Sequence, residues 1–297
     1  MVSSEIQTYL FEIGILSFIV PVVILFIWRF QSKKNLLPAL AGLIVYLLFA
    51  RLLEVIPNNL FIFFDTPVSQ AILSNPLLYV IYLGILAAIF EETGRYLAFR
   101  FYLNKRDERE TAITYGIGHG AAEVFYILGF TSFSRLSTTY LVEANGTDII
   151  SKSMLEELNA LTKSSLIIEA VGAVIFFALQ ICLSIIMLQA YRNKAARIRL
   201  ILMAMGFHFI MYFPYALAKY GQMVQNILPQ IIYLILLLLI LIISLLFIIP
   251  IYKKMGENDE ERSKDVEKKK QETKQKNFSY ARKKLSSIEE NKKSNQK

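Results

Sequence analysis

Seven predominantly apolar runs, each long enough to cross about 30 Å of hydrocarbon as a helix, leave this 297-residue chain little choice of fold. They lie near 10–30, 36–55, 77–102, 111–134, 165–190, 199–218 and 228–251. Hydrophobic residues make up 55% of the chain and its mean hydropathy is +0.46, too apolar for an ordinary soluble domain. The expectation is an all-α, polytopic membrane helix bundle over residues 1–252, with a charged, disordered or loosely helical cytoplasmic tail over 253–297.

Charge placement orients the bundle. Arg29, Lys33 and Lys34 follow the first run, whereas 56–76 carries Asp65 and no Lys or Arg. Lys105, Arg106 and Arg109 follow the third, and 135–164 is net acidic. Arg192, Lys194, Arg197 and Arg199 follow the fifth, 219–227 carries only Lys219, and the basic tail follows the last. Basic connections alternate with non-basic ones, which puts the N-terminus outside and the C-terminus in the cytoplasm. From Lys253 onward there are 15 Lys/Arg against 9 Asp/Glu, so +6 of the net +8 belongs to the tail. That distribution does not mark a nucleic-acid-binding fold; anionic lipid or plain solvation suits the tail better. The single Cys182 excludes an intrachain disulfide framework and a Cys-rich zinc site. The first run follows Glu5 and Glu12 with no Lys or Arg before it, the opposite of a signal-peptide n-region.

Some connections have their own pattern. Phe61, Phe63 and Phe64 among Pro57, Pro67 and Pro76 suggest an interfacial or re-entrant piece. Met154, Leu155, Leu158 and Leu161 fall at roughly helical spacing and suit a helix on the outer face. Asn145-Gly146-Thr147 matches a glycosylation sequon, relevant only in a eukaryotic secretory pathway. Arg51 and Glu54 read as a local pair near the outer interface, and Glu169 and Gln180 as end-of-span and helix-packing residues.

Ionisable residues inside the spans carry the functional argument, because intramembrane charge is costly and usually faces a bundle interior or wet cavity. Glu91, Glu92 and Arg95 lie in the third span, His119 and Glu123 in the fourth and His208 in the sixth. At about 1.5 Å per residue, His119 sits about 12 Å from the cytoplasmic end of its helix and His208 about 14 Å from that of its own. Glu91 and Glu92 lie about 12–14 Å from Arg100 by the same measure. Three helices thus bring these groups to one depth in the cytoplasmic half of the membrane. Two imidazoles and a carboxylate, His119, His208 and Glu123, can hold Zn²⁺ with a fourth position for water. A desolvated Glu91 or Glu92 can act as general base, and a metal-free alternative has a Glu deprotonate water beside oxyanion-stabilising histidines. Arg95 is the natural partner that keeps Glu91 or Glu92 charged. Gly116, Gly118 and Gly120 sit in a membrane helix and not after a strand, so they allow close helix approach and do not form a nucleotide loop.

Glu-Glu-x-x-Arg on one helix, Gly-x-Gly-His-Gly-x-x-Glu on the next and a later His resemble the YhfC family of membrane peptidases, itself distantly similar to the CAAX prenyl protease and bacteriocin-processing group. The resemblance covers about residues 10–251 and implies hydrolysis, inside a bacterial cell membrane, of a membrane-associated peptide or protein. Glu91 and Glu92 match its paired glutamates, Arg95 their basic member, His119 its second motif and His208 its third. The wider group spaces its arginine one residue further on and has Asn four residues after the last His, where this chain has Tyr212. Rival readings of the same residues are a proton- or ion-coupled transporter, disfavoured by the lack of a visible internal repeat, and a non-enzymatic immunity or sensor protein on a peptidase fold.

Overall fold

A computed structural model describes residues 2–220 and 227–294, with side chains described to Pro214 and again over 228–279. Among these the chain is helical, in the order α1 (Ser4–Ser32), α2 (Leu37–Tyr46), α3 (Val55–Asn58), α4 (Pro67–Ser74), α5 (Pro76–Leu97), α6 (Arg109–Val124), α7 (Thr131–Asn145), α8 (Lys152–Asn159), α9 (Lys163–Arg192), α10 (Arg197–Tyr220) and α11 (Ile227–Ser294). π-helical turns at Leu47–Leu53, Asn59–Phe63, Ala98–Tyr102 and Phe125–Phe130 join or extend several of them. The protein is an all-α membrane helix bundle.

Local chemistry sets the ends. Asn75 caps α5 by accepting from the Leu77 and Leu78 N–H groups, with Pro76 at the first helical position, where its missing N–H costs nothing. Thr66 with Ser69 and Thr162 with Ser165 form reciprocal capping boxes at the starts of α4 and α9. Lys33 takes the left-handed conformation that ends α1.

Among the described residues, five helical stretches are long and apolar enough to cross a membrane: Ser4–Ser32, Leu37–Phe63, Pro76–Tyr102, Lys163–Arg192 and Leu228–Ser279. The other two expected spans, near 111–134 and 199–218, are helical as well. The first of these is less apolar for a physical reason. Twelve of the sixteen α6 residues are buried, so this helix meets protein and not lipid and tolerates Thr, Gly, His and Glu.

The glycines make that position possible. α6 packs most extensively on α9 and α2, and α5 on α10. A Cβ on Gly118 would overlap the Ala39 carbonyl of α2, and one on Gly42 the Tyr115 carbonyl of α6. On the opposite face a Gly116 Cβ would lie 2.6 Å from the Ile181 Cα of α9. Backbone touches backbone on both sides, the use expected of these glycines.

The connections show where apolar side chains go. Phe61, Phe63 and Phe64 remain exposed around the turn into α4. Leu158 and Leu161 of the α8 segment turn inward onto Leu10, Ile13 and Leu128, while Met154 stays exposed. Arg135 of α7 pairs with Glu169 of α9 at 2.8 Å and with Glu157 of α8 at 3.2 Å, fastening this layer. Arg51, expected beside Glu54, lies within electrostatic reach of it and makes its hydrogen bond to the Tyr46 hydroxyl. The connection at 221–226 lies outside the described residues. Residues 1–252 form one compact unit and 253–297 a second, which is helical as far as it is described, to Ser294.

Gly118→Ala is expected to destabilise the protein by about 1–3 kcal/mol or more through overpacking against main chain. Gly206→Ala, where an added Cβ meets nothing within 4 Å, is expected to be neutral or to stabilise by about 0.5–1 kcal/mol. Thermal unfolding of both variants in one detergent checks the contrast.

Candidate active site

The six candidate residues are all buried, between 0% and 3% exposed. α5 supplies three of them. Glu91 and Glu92 are consecutive, so on a helix they point about 100° apart and meet different partners. Glu91 Oε2 lies 2.9 Å from His119 Nε2 on α6, and Glu92 Oε1 lies 2.8 Å from His208 Nδ1 on α10. The second glutamate's histidine also faces the first, with His208 Nε2 3.7 Å from Glu91 Oε1. A proton on His208 Nδ1, donated to Glu92, leaves Nε2 as the ring's lone-pair nitrogen, turned towards Glu91.

Arg95 settles on Glu92 and not on Glu91. Its Nε is 3.2 Å from Glu92 Oε2, close as charges though not aligned as a hydrogen bond. The rest of the guanidinium is held by α9: Nη1 donates to the Gln180 carbonyl at 2.9 Å and to Ser184 Oγ at 2.5 Å, and Nη2 donates to Gln180 Oε1. Ser184 in turn donates to the Gln180 carbonyl at 2.8 Å. Tyr115 lies under the site, its ring stacked on His119 at 5.9 Å and 5.9 Å from the Arg95 guanidinium. Gln180 and Ser184 are therefore part of this network, and sequence reasoning had assigned Gln180 to helix packing and passed over Ser184. Their i, i+4 spacing on an otherwise apolar helix was the available signal.

Glu123 lies one turn along α6 from His119. Among the described residues one Glu123 oxygen, His119 Nδ1 and His208 Nε2 each lack a hydrogen-bond partner. Each such buried orphan costs about 1–3 kcal/mol relative to a satisfied group. Among the described residues no three His, Cys, Asp or Glu side chains form a group that could hold a metal ion. His119 Nε2 faces Glu91, so the expected trio of His119, Glu123 and His208 is not assembled as a cage. The donors nevertheless fit a divalent metal such as zinc in kind, two imidazoles and a carboxylate, and the orphaned His208 and Glu123 atoms are what a shared ligand would satisfy.

The family model described as YhfC intramembrane metalloprotease matches residues 16–234. This chain belongs to that family. A relative, described as uncharacterized membrane protein YhfC of Bacillus subtilis (strain 168), is 26% identical over 205 residues, covering 65% of this chain and 78% of that protein. No solved structure matches. Membership of the YhfC family together with the apolar helices makes this a multi-pass membrane protein, and the family's description points to a protease that uses a metal.

Removing Arg95 leaves Glu92 as an uncompensated buried charge, a change that typically costs about 3–5 kcal/mol. Arg95→Leu is expected to lose stability of that order, and Arg95→Leu combined with Glu92→Leu to recover a large part of it. Chemical or thermal unfolding of the single and double variants measures the difference.

Proposed function

We propose that this protein hydrolyses a peptide bond of a membrane-associated peptide or protein, with Glu91, Glu92, Arg95, His119, Glu123 and His208 forming its active site. The observation that carries the reading is the pair of buried carboxylate–imidazole contacts, Glu91 with His119 and Glu92 with His208, drawn from three helices.

In this reading Glu91 is the general base. Its carboxylate takes a proton from water, and the water oxygen attacks the scissile carbonyl carbon. The same carboxyl group then gives its proton to the departing amine. Glu92 acts through His208, fixing the ring so that Nε2 turns to the reacting centre, and Arg95 keeps Glu92 ionised and in place. His119, His208 and Glu123 would hold the metal. When bound, zinc lowers the pKa of water and polarises a carbonyl oxygen. Burial excludes bulk water, which strengthens each of these electrostatic effects.

The alternation of basic connections supports seven crossings, with the N-terminus outside and the site opening towards the cytoplasmic half of the membrane. The description of the family as an intramembrane metalloprotease supports a peptidase over a transporter on this framework.

Glu91→Gln, Glu92→Gln and His119→Ala are each expected to abolish cleavage of a membrane-embedded peptide in proteoliposomes while the protein remains folded; undiminished cleavage in all three would sink the proposal. Elemental analysis of the purified protein is expected to find near-equimolar zinc that is lost from both His119→Ala and His208→Ala. Proton- or ion-driven flux abolished by Glu123→Gln, with no cleavage by wild type, would instead establish a transporter.

A further inference from the structure

Tyr46 and Arg51 take no part in the hydrolysis set out above, yet they lie against its site. Residues five apart stand about 140° apart round an α-helix. The chain here passes through the π-helical turn Leu47–Leu53, with the Glu54 N–H on the Phe49 carbonyl at 3.2 Å. Such i→i+5 bonding brings residues five apart onto one face. Arg51 therefore reaches back to Tyr46: Nε donates to the hydroxyl oxygen at 2.8 Å and Nη2 donates to the same atom. The guanidinium also lies over the Tyr126 ring, 3.8 Å from its centroid.

Tyr46 is fully buried, packs on Ala122 and meets the His119 ring edge-on with centroids 5.4 Å apart. Phenol and guanidinium thus run along one side of α6 from His119 past Glu123 to Tyr126. Both lie within electrostatic reach of Glu91.

The Tyr46 oxygen accepts two N–H groups, and among the described residues its own proton has no acceptor. Bonding to a cation makes that O–H a stronger donor. Attack of water moves the carbonyl π pair onto the scissile oxygen, creating a negative charge beside three carboxylates. Arg95 is already engaged by Glu92, Gln180 and Ser184. We propose that the Tyr46 O–H donates a hydrogen bond to this oxyanion as a catalytic residue. Arg51 is its positioning residue, holding the phenol and balancing the charge. The proton stays on Tyr46 throughout: the water proton goes to Glu91 and then to the leaving amine as the C=O re-forms.

This assignment rests on the hydrolytic reading, so its test must separate the two. Wild type, Tyr46→Phe, Arg51→Lys, Arg51→Gln and Glu91→Gln are compared in proteoliposomes. One probe is a single-span peptide carrying a fluorophore and quencher; the second carries a phosphinate in place of one peptide bond. Tyr46→Phe is expected to lower kcat by about 10²–10³-fold, the loss typical of one oxyanion donor. KM is expected to stay within about twofold, as for an interaction made only in the transition state. Arg51→Lys is expected to keep more kcat than Arg51→Gln, which a space-filling role would not produce.

If Glu91→Gln is inactive but Tyr46→Phe keeps kcat within about threefold of wild type, the hydrolytic reading stands and the oxyanion assignment is overturned. If wild type does not cleave this peptide, binding of the phosphinate, a mimic of the tetrahedral intermediate, decides. Phosphinate binding lost in Tyr46→Phe, with uncleaved peptide still bound, supports the donor; equal binding in the two proteins overturns it. Should Tyr46→Phe not fold, equal kcat in Arg51→Lys and Arg51→Gln overturns it too.

Discussion

Glu92 and Arg95 form an ion pair with neither side chain exposed, and the bundle interior is built to tolerate it. A charge in low dielectric is held only if its partners are placed accurately and its remaining donors and acceptors are met. Arg95 meets most of that condition by donating from both terminal nitrogens to a backbone carbonyl, a hydroxyl and an amide oxygen of α9, so α5 and α9 are tied through one guanidinium. Glu92 passes the constraint to α10 through His208. The ionic centre therefore specifies how three helices sit together, which lipid-facing apolar contacts alone would define poorly.

Against that centre α6 contributes the opposite kind of order. Its glycines let the main chain of α2 lie on one side and that of α9 on the other. The imidazole of His119 is carried into the interior by backbone contact, with Tyr46 at its edge and Tyr115 stacked on its face. Glu91 then meets it from α5. One helix is positioned by sterics and the others by charge, and the buried ionisable cluster lies where the two kinds of constraint meet.

Much of this was legible in the sequence because membranes make polarity conspicuous. Apolar run lengths revealed the helical bundle, and a count of residues from each helix end brought Glu91, Glu92, His119 and His208 to one level. The choice of Glu92 as Arg95's partner was not legible, since both glutamates lie within one helical turn of it. Gln180 and Ser184 were hidden because composition does not reveal which face of α9 meets α5. The Tyr46–Arg51 contact was hidden for a different reason: spacing arguments assume 3.6 residues per turn, and the Leu47–Leu53 turn departs from it. Leu158 and Leu161 kept their helical spacing, but spacing alone did not say that the apolar side of this short helix meets the bundle.

The glycine contacts of α6 have a consequence for opening. Parting α6 from α2 or α9 means separating surfaces in main-chain contact along several residues, a cooperative event of high free energy. The His208 side is different: the α5–α10 seam near it is filled by Phe209 against Gly84, a side chain that can change rotamer. The two walls of the site are thus held by different kinds of contact. The α10 wall can yield by a change of side-chain conformation once the His208–Glu92 contact is released, while the Glu91–His119 half is held by main chain against main chain.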